Sequence, residues 1–462
     1  MRKLLSLLSL GLALYSFGQT DLTLYQLTNI PGSNMLNPGF RPEANVAVGF
    51  PGLTSLGVNV HNSGFALREL VGVDVDDPNQ AIQDIAARMD GKDHLSVNLR
   101  TDMIYVGFGT GNGFVSLGAG TYTFLNFDYP ADLLRFLWPS SDDFSEVSFD
   151  LSETDYEALN STFYHLGYQH NLMKDKLSVG VRMKYFQGIQ HAFIERFEGS
   201  IEGQEDRMLV STDVLIRTGG VASLADGNDL NISSLLFPAN TGFAFDFGAT
   251  YAITSRWEVS ASVLNLGSIT FTEDLRQLVS NGTYEFTGIE YDPNNGALNS
   301  DRLQNDLDSI FGFVEEDGIS YTRKLPMEAY ASLTHHFNRN HSLSATYHMR
   351  AWNGDLFHDA GISYLGRYGK TFHLVAGYNL INGTWNNIST GFALNMGGFQ
   401  WHLLSDNIYG FFYPGRANTA NIRTGFSFRF GRDRLNDRLA KMESEAPPIQ
   451  AIPQQEESPS NQ

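Results

Sequence analysis

Cysteine is absent from the 462 residues, so neither disulfide staples nor thiolate chemistry is open to this chain. Basic residues are scarce too: 31 Lys and Arg stand against 51 Asp and Glu, a formal charge of −20. Such a surface repels phosphates, which excludes nucleic acid as a partner. Beyond the first twenty residues there is no long uncharged apolar run, and mean hydropathy is −0.21. That excludes spanning helices, but not a barrel whose strands give only alternate positions to lipid. Enzyme signatures are lacking as well. The 12 histidines are scattered, and adjacent His335 and His336 would point to opposite faces of a strand. The expectation is a non-enzymatic protein with no cofactor and no metal.

What is present is long alternation. From His341 the polar set Ser342, Ser344, Thr346, His348, Arg350 interleaves with Leu343, Ala345, Tyr347, Met349, Ala351. A period of two puts these sets on opposite faces of one strand. The preceding run from Met327 repeats the pattern, with only Asn338-Arg339-Asn340 between them as a hairpin turn. Each run holds about 11 residues, the length a tilted strand needs to cross a bilayer, whereas soluble strands run to roughly 5–6.

Residues 1–19 open with Arg2-Lys3, continue through the apolar run 4–14 and end in small residues, the pattern of a secretory signal peptide. Residues 20–43 carry turn chemistry. A first strand at 44–50 ends at Pro51-Gly52. Strands then follow at 96–109, 114–126, 161–171, 177–189, 242–253, 256–267, 327–337, 341–351, 357–366, 370–380, 387–396, 398–405 and 419–430. The total is about fourteen, an even number, and short connections alternate with longer ones as in outer-membrane barrels. The long connections are 51–95, with a helix predicted at 79–89, then 127–160, 190–241 and 268–326. A hairpin of 193–199 with 208–217 is expected inside the third. Residues 432–462 are rich in Pro, Gln, Glu and Ser and read as a disordered tail. The fold class is therefore all-β, a transmembrane antiparallel barrel spanning 44–431. Loop parity puts both termini in the periplasm.

A lipid-facing charge at mid-membrane costs roughly 2–4 kcal/mol, so charged phases belong inside. That makes Arg182, Lys184, His348, Arg350, Arg423 and Arg429 lumen-lining candidates, with Glu258 and Glu328 as counter-charges. Two readings follow: a basic lining that attracts anions, or an internal salt-bridge network holding the structure together. The network is favoured.

The stretch Gly32-Ser33-Asn34-Met35-Leu36-Asn37-Pro38-Gly39-Phe40 leads into strand one. With Asn62-Ser63-Gly64-Phe65, Ser405-Asp406-Asn407-Ile408-Tyr409-Gly410 and Asn421-Ile422-Arg423-Thr424-Gly425, it resembles an uncharacterised outer-membrane barrel family of the Bacteroidota. That family is similar in turn to the fourteen-stranded long-chain fatty-acid transporter superfamily. The resemblance implies that 20–43 plugs the lumen as a hatch, with Asn37-Pro38-Gly39 standing where that superfamily has Asn-Pro-Ala. It implies two roles. The first is outer-membrane transport of a small hydrophobic or amphipathic ligand. The second is a structural partnership with envelope secretion or gliding proteins. Transport predicts a ligand-sized cavity beneath Asn37-Pro38 and a lateral opening or kinked strand.

Overall fold

The computed structural model describes residues 21–431 except 29, 43, 67–68, 70–77, 90, 138–146, 174–175, 205–207, 221–239, 287–311 and 414–416. The expected signal peptide and tail lie outside the described residues.

The first wall strand comes in two pieces, β1 (Val46–Gly49) and β2 (Ser55–Asn62). It is followed by β3 (Lys92–Thr110), β4 (Gly113–Pro130), a short β5 (Ser148–Asp150), β6 (Asp155–Leu172), β7 (Leu177–Gly203), β8 (Met208–Gly219), β9 (Thr241–Ala252) and β10 (Trp257–Phe271). Then come β11 (Arg276–Phe286), β12 (Val314–Asp317), β13 (Tyr321–Lys324), β14 (Met327–His336), β15 (His341–Trp352), β16 (Asp355–Tyr368), β17 (Phe372–Ile381), β18 (Thr384–Met396), β19 (Phe399–Ser405) and β20 (Thr419–Phe430). Each wall strand pairs antiparallel with the next. The last returns to the first, with Val46 opposite Phe430 and Leu56 opposite Thr424. The result is a closed barrel of 14 wall strands.

The period of two decides the faces. On β9, Phe243, Phe245 and Phe247 are exposed while Ala244 and Asp246 are fully buried. On β6, Tyr164, Leu166 and Tyr168 are exposed while His165 and Gln169 are buried. An outward belt of aromatic and aliphatic side chains over a polar interior is the surface that a barrel turns to hydrocarbon. Among the described residues, no helix is long and apolar enough to cross a membrane.

Three sequence expectations change. Pro51-Gly52 reads as a strand end, yet the strand resumes at Ser55. Residues 50–54 bulge outward and keep contact with the wall, Phe50 N–H donating to the Phe426 carbonyl and Gly52 N–H to the Met103 carbonyl. The long connections are also less irregular than they read. The hairpin expected at 193–199 with 208–217 forms, but as the far half of a β7 that runs unbroken for 27 residues, paired with β8; β8 pairs in turn with β11, and β11 with β12. This sheet rises beyond the belt over its own core of Phe149, Leu151, Ile201, Met208 and Val210. Finally, the alternation of connection lengths does not extend to the second half. Asn353-Gly354 and Asn382-Gly383 close two-residue turns with positive φ at both positions, as the type I′ hairpin requires. The helix expected at 79–89 forms as α3 (Pro78–Arg88). Two shorter helical pieces precede it, α1 (Leu22–Gln26) and α2 (Pro31–Asn34).

Candidate functional site: the N-terminal segment inside the barrel

Residues 21–40 run through the barrel interior, and every side chain of α1 and α2 is buried. Their apolar side chains, Leu24, Tyr25, Leu27, Ile30, Leu36 and Phe40, cluster with wall residues Leu264, Tyr330, Leu365, Val375 and Leu404. Tyr25 stacks on Tyr330 at 4.9 Å between centroids. Among the described residues no strand pairing holds the segment; side chains do. A segment this short leaves most of its backbone carbonyls without helical partners, and wall side chains supply them.

Arg182 meets that need. Its Nη2 donates to the Asn34 carbonyl (2.5 Å) and Oδ1 (2.8 Å), and its Nη1 to the Met35 carbonyl (3.2 Å). Its charge is balanced by Asp246, which lies 3.2 Å from Arg182 Nη1 and 2.9 Å from Lys184 Nζ. All three side chains are at most 2% exposed. Lys184 also donates to Asn265 Oδ1 (2.7 Å), and the Asn265 N–H donates to Asp246 Oδ1 (2.8 Å). Asn265 can do both because a bulge in β10 holds it at φ +60, turning the side chain inward.

At the segment's other end, Asp21 receives Arg423 Nε at 2.8 Å and Nη2 at 3.0 Å, while Arg423 Nη1 reaches Ser55 Oγ at 2.7 Å. This is the fork geometry of a strong charged pair. Thr23 is held by Asp406, its N–H donating at 2.7 Å. Asn37 Nδ2 donates to Tyr25 Oη (2.9 Å), and Asn37 Oδ1 accepts from the Gly39 N–H (2.8 Å). Pro38 lies against Gly180, where any side chain would overlap the Pro38 carbonyl.

The candidates therefore separate. Arg182 and Arg423 bind the N-terminal segment, and Lys184 stands behind Arg182 through their shared Asp246. His348 pairs with Asp359 at 2.8 Å and lies 3.7 Å from Glu328. Arg350 stands over the Phe357 ring at 4.8 Å. Arg429 donates to Asn395 Oδ1 at 2.8 Å, and Glu258 is half-buried near the start of β10, outside the Asp246 cluster. Asp246 was missed, although it occupies the inward phase of a strand bearing three outward phenylalanines. Asp21 lies in no strand, so periodicity could not have marked it.

A second buried carboxylate, Glu157, lies towards the longer loops. The outward phase of β6 changes there from Tyr164 to Asn160 and Thr162, so Glu157 stands beyond the belt. It accepts from Arg323 Nε (3.1 Å), Arg323 Nη2 (2.7 Å) and Trp352 Nε1 (2.7 Å), and His191 Nε2 lies at 3.1 Å. Burial alone would raise its pKa. The hydrogen bonds from His191 and Arg323 outweigh burial and bring it down to about 2.

A ligand-sized cavity of about 770 Å³ lies not beneath Asn37-Pro38, where transport predicts one, but on the outer face of β10, β14, β15, β16 and β17, among Val259, Leu333, Tyr347, Ile362 and Tyr378. Leu264 and Tyr330 fill one side of the lumen against the segment, and Phe124, Phe163, Phe186 and Phe271 fill another. A cavity of about 60 Å³ lies instead between Asp21 and the loop side. No group of three metal-ligating side chains occurs among the described residues.

A family model described as DUF5723, a family of unknown function, matches residues 38–406. The chain belongs to that family. No curated protein matches it. Solved structures similar to this DUF5723 chain include the toluene transporter TbuX of Ralstonia pickettii, at 13% identity and TM-score 0.43 over 91% of this chain and 100% of that one. The toluene transporter TodX of Pseudomonas putida is similar at 10% identity and TM-score 0.37, covering 89% and 93%. A FadL homologue of Pseudomonas aeruginosa follows at 9% and 0.40, covering 87% and 91%.

Proposed function

We propose that this protein is a non-enzymatic outer-membrane transporter of small hydrophobic or amphipathic molecules, with residues 21–42 as its hatch in the closed position. One observation carries the reading. Among the described residues, the segment that fills the lumen is tied to the wall through side chains, beside the place where the first wall strand breaks at 50–54. Contacts of that kind can be released without unfolding the barrel, whereas a paired strand could not. Termini in the periplasm would put the hatch on the inner side. The barrel names similar to it include toluene transporters, which agrees with a hydrophobic cargo.

Gly32 and Ser55 offer a clean test, since an ideal Cβ on Gly32 lies 3.8 Å from the Ser55 Cβ. That spacing suits a disulfide, and no native cysteine competes. Liposomes carrying the Gly32→Cys, Ser55→Cys double variant should take up a fluorescent apolar probe only when reduced. Equal uptake in the oxidised and reduced forms would sink the hatch-gated reading.

A second reading, partnership with envelope secretion proteins, is favoured by the polar sheet of β8, β11 and β12 that stands clear of the belt. It predicts that large envelope proteins co-purify after mild extraction and are lost when that sheet is shortened.

A further inference from the structure

The cavity of about 60 Å³ lies between Asp21 and the loop side, among wall residues of β2, β3, β14, β15 and β16. Its carboxylates are already engaged. Asp21 receives the fork of Arg423. Asp359 accepts from the Asn382 N–H at 3.0 Å and faces His348 Nδ1 at 2.8 Å. Glu328 accepts from Tyr330 Oη at 3.3 Å. The donors are less fully engaged: Arg100 Nε lies 3.5 Å from Asp102 Oδ1 and His348 Nε2 3.7 Å from Glu328 Oε2, both longer than a hydrogen bond of ordinary strength. Among the lining residues, Asn98 Nδ2, Arg100 Nε, Arg100 Nη2 and His348 Nε2 are buried without a hydrogen-bond partner, against a single unpaired acceptor, Asn382 Oδ1. Arg350 adds a guanidinium that is 8% exposed and meets no carboxylate within ion-pair distance among the described residues; its one described contact is the Phe357 ring.

A buried guanidinium without a counter-charge is costly, and so is each orphaned donor. Water can answer a donor, but it carries no charge to balance the Arg350 guanidinium. An acceptor-only species matches the inventory better. Guanidinium and amide groups present donors in planes that fit the two oxygens of a carboxylate. The volume admits only a very small one, since a drug-sized ligand needs several hundred Å³.

We propose that this cavity binds a small free carboxylate, of formate or acetate size, between Arg350, Arg100 and Asn98. The site is independent of the transport reading, because it would exist in a barrel that conducts nothing.

The test uses the full-length protein in detergent, titrated with formate, acetate, butyrate and chloride at constant ionic strength and pH 7. Thermal midpoint and isothermal titration are read together. Formate and acetate should give a saturable rise in midpoint and a measurable heat, with butyrate at least tenfold weaker. Arg350→Gln should lose the response, while Arg429→Gln, which lies away from the cavity, should keep it. Should Arg350→Gln fail to fold, a crystal of the wild type grown in bromide supplies the second readout, with an anomalous peak expected beside Arg350. Three results overturn the proposal: a response that tracks ionic strength alone, a response unchanged in Arg350→Gln, or a cavity in the bromide crystal that holds water only. Butyrate binding as tightly as formate would overturn the size limit, and with it the assignment to this cavity.

Discussion

Asp246 and Glu157 are both buried carboxylates held by donors from more than one side chain, yet they do different work. The Asp246 cluster lies level with the lipid-facing belt. Through Arg182 it delivers its hydrogen bonds to the Asn34 and Met35 carbonyls of the N-terminal segment. The Glu157 cluster lies beyond the belt and joins wall strands to one another through Arg323, Trp352 and His191. The same pairing chemistry holds the N-terminal segment in one place and the frame in the other. What distinguishes them is where the cation's remaining donors point. Arg182 spends its donors on backbone that nothing else satisfies, whereas those of Arg323 go back to the carboxylate that neutralises it.

The largest effect should come from Asp246→Ala, which leaves Arg182 and Lys184 buried with no carboxylate between them. Breaking such a pair costs about 3–5 kcal/mol. The expected outcome in hydrogen exchange is loss of protection over residues 22–36 while the wall strands stay protected. Uniform destabilisation of wall and segment together would erase the contrast between the two clusters.

Glu157→Gln should cost less, about 1.5–3 kcal/mol for hydrogen bonds to a charged group. It should lower the thermal midpoint and leave residues 22–36 as protected as in the wild type. The pH dependence follows from the same residue. Its folded pKa, about 2, lies below the ordinary value of 4.5. Its contribution is therefore fully present above pH 4.5 and is lost as pH falls towards 2. Acid titration of the midpoint should show that loss in the wild type and a flatter profile in the variant.

A smaller change, Gly180→Ala, sharpens the contrast from the segment's side. The added methyl would overlap the Pro38 carbonyl, and overpacking of that kind typically costs about 1–3 kcal/mol. Because the strain falls on Pro38, faster proteolysis within 30–42 is expected with little change in the barrel's own unfolding. If the midpoint falls as far as it does in Glu157→Gln, the segment and the frame are one cooperative unit.

The barrel was largely legible before any coordinates. β14, β15 and β20 begin and end within a residue of where alternation places them, because the phase of period two is fixed by which face must meet hydrocarbon. The inward placement of Arg182, Lys184, His348 and Arg423 was legible for the same reason. Strand length beyond the belt was not. Past Gln190 nothing apolar is required outside, so the sequence shows a separate hairpin at 193–199 and 208–217, and only the structure shows that its first strand is the unbroken continuation of β7. The break at 50–54 misled in the opposite sense, since Pro51-Gly52 carries the chemistry of a strand end whether or not the strand resumes.

The sequence by itself determined the closed series of strands, their inner and outer faces and the place of charge within them, since all three follow from local periodicity and the cost of charge in lipid. Only the tertiary structure decided which inward charges meet: Arg423 with Asp21 across 402 positions, and Arg182 with Asn34 across 148. Those partners belong to a segment without periodicity, so its seat inside the lumen depends on carbonyls, bulges and close packing that no alternation encodes.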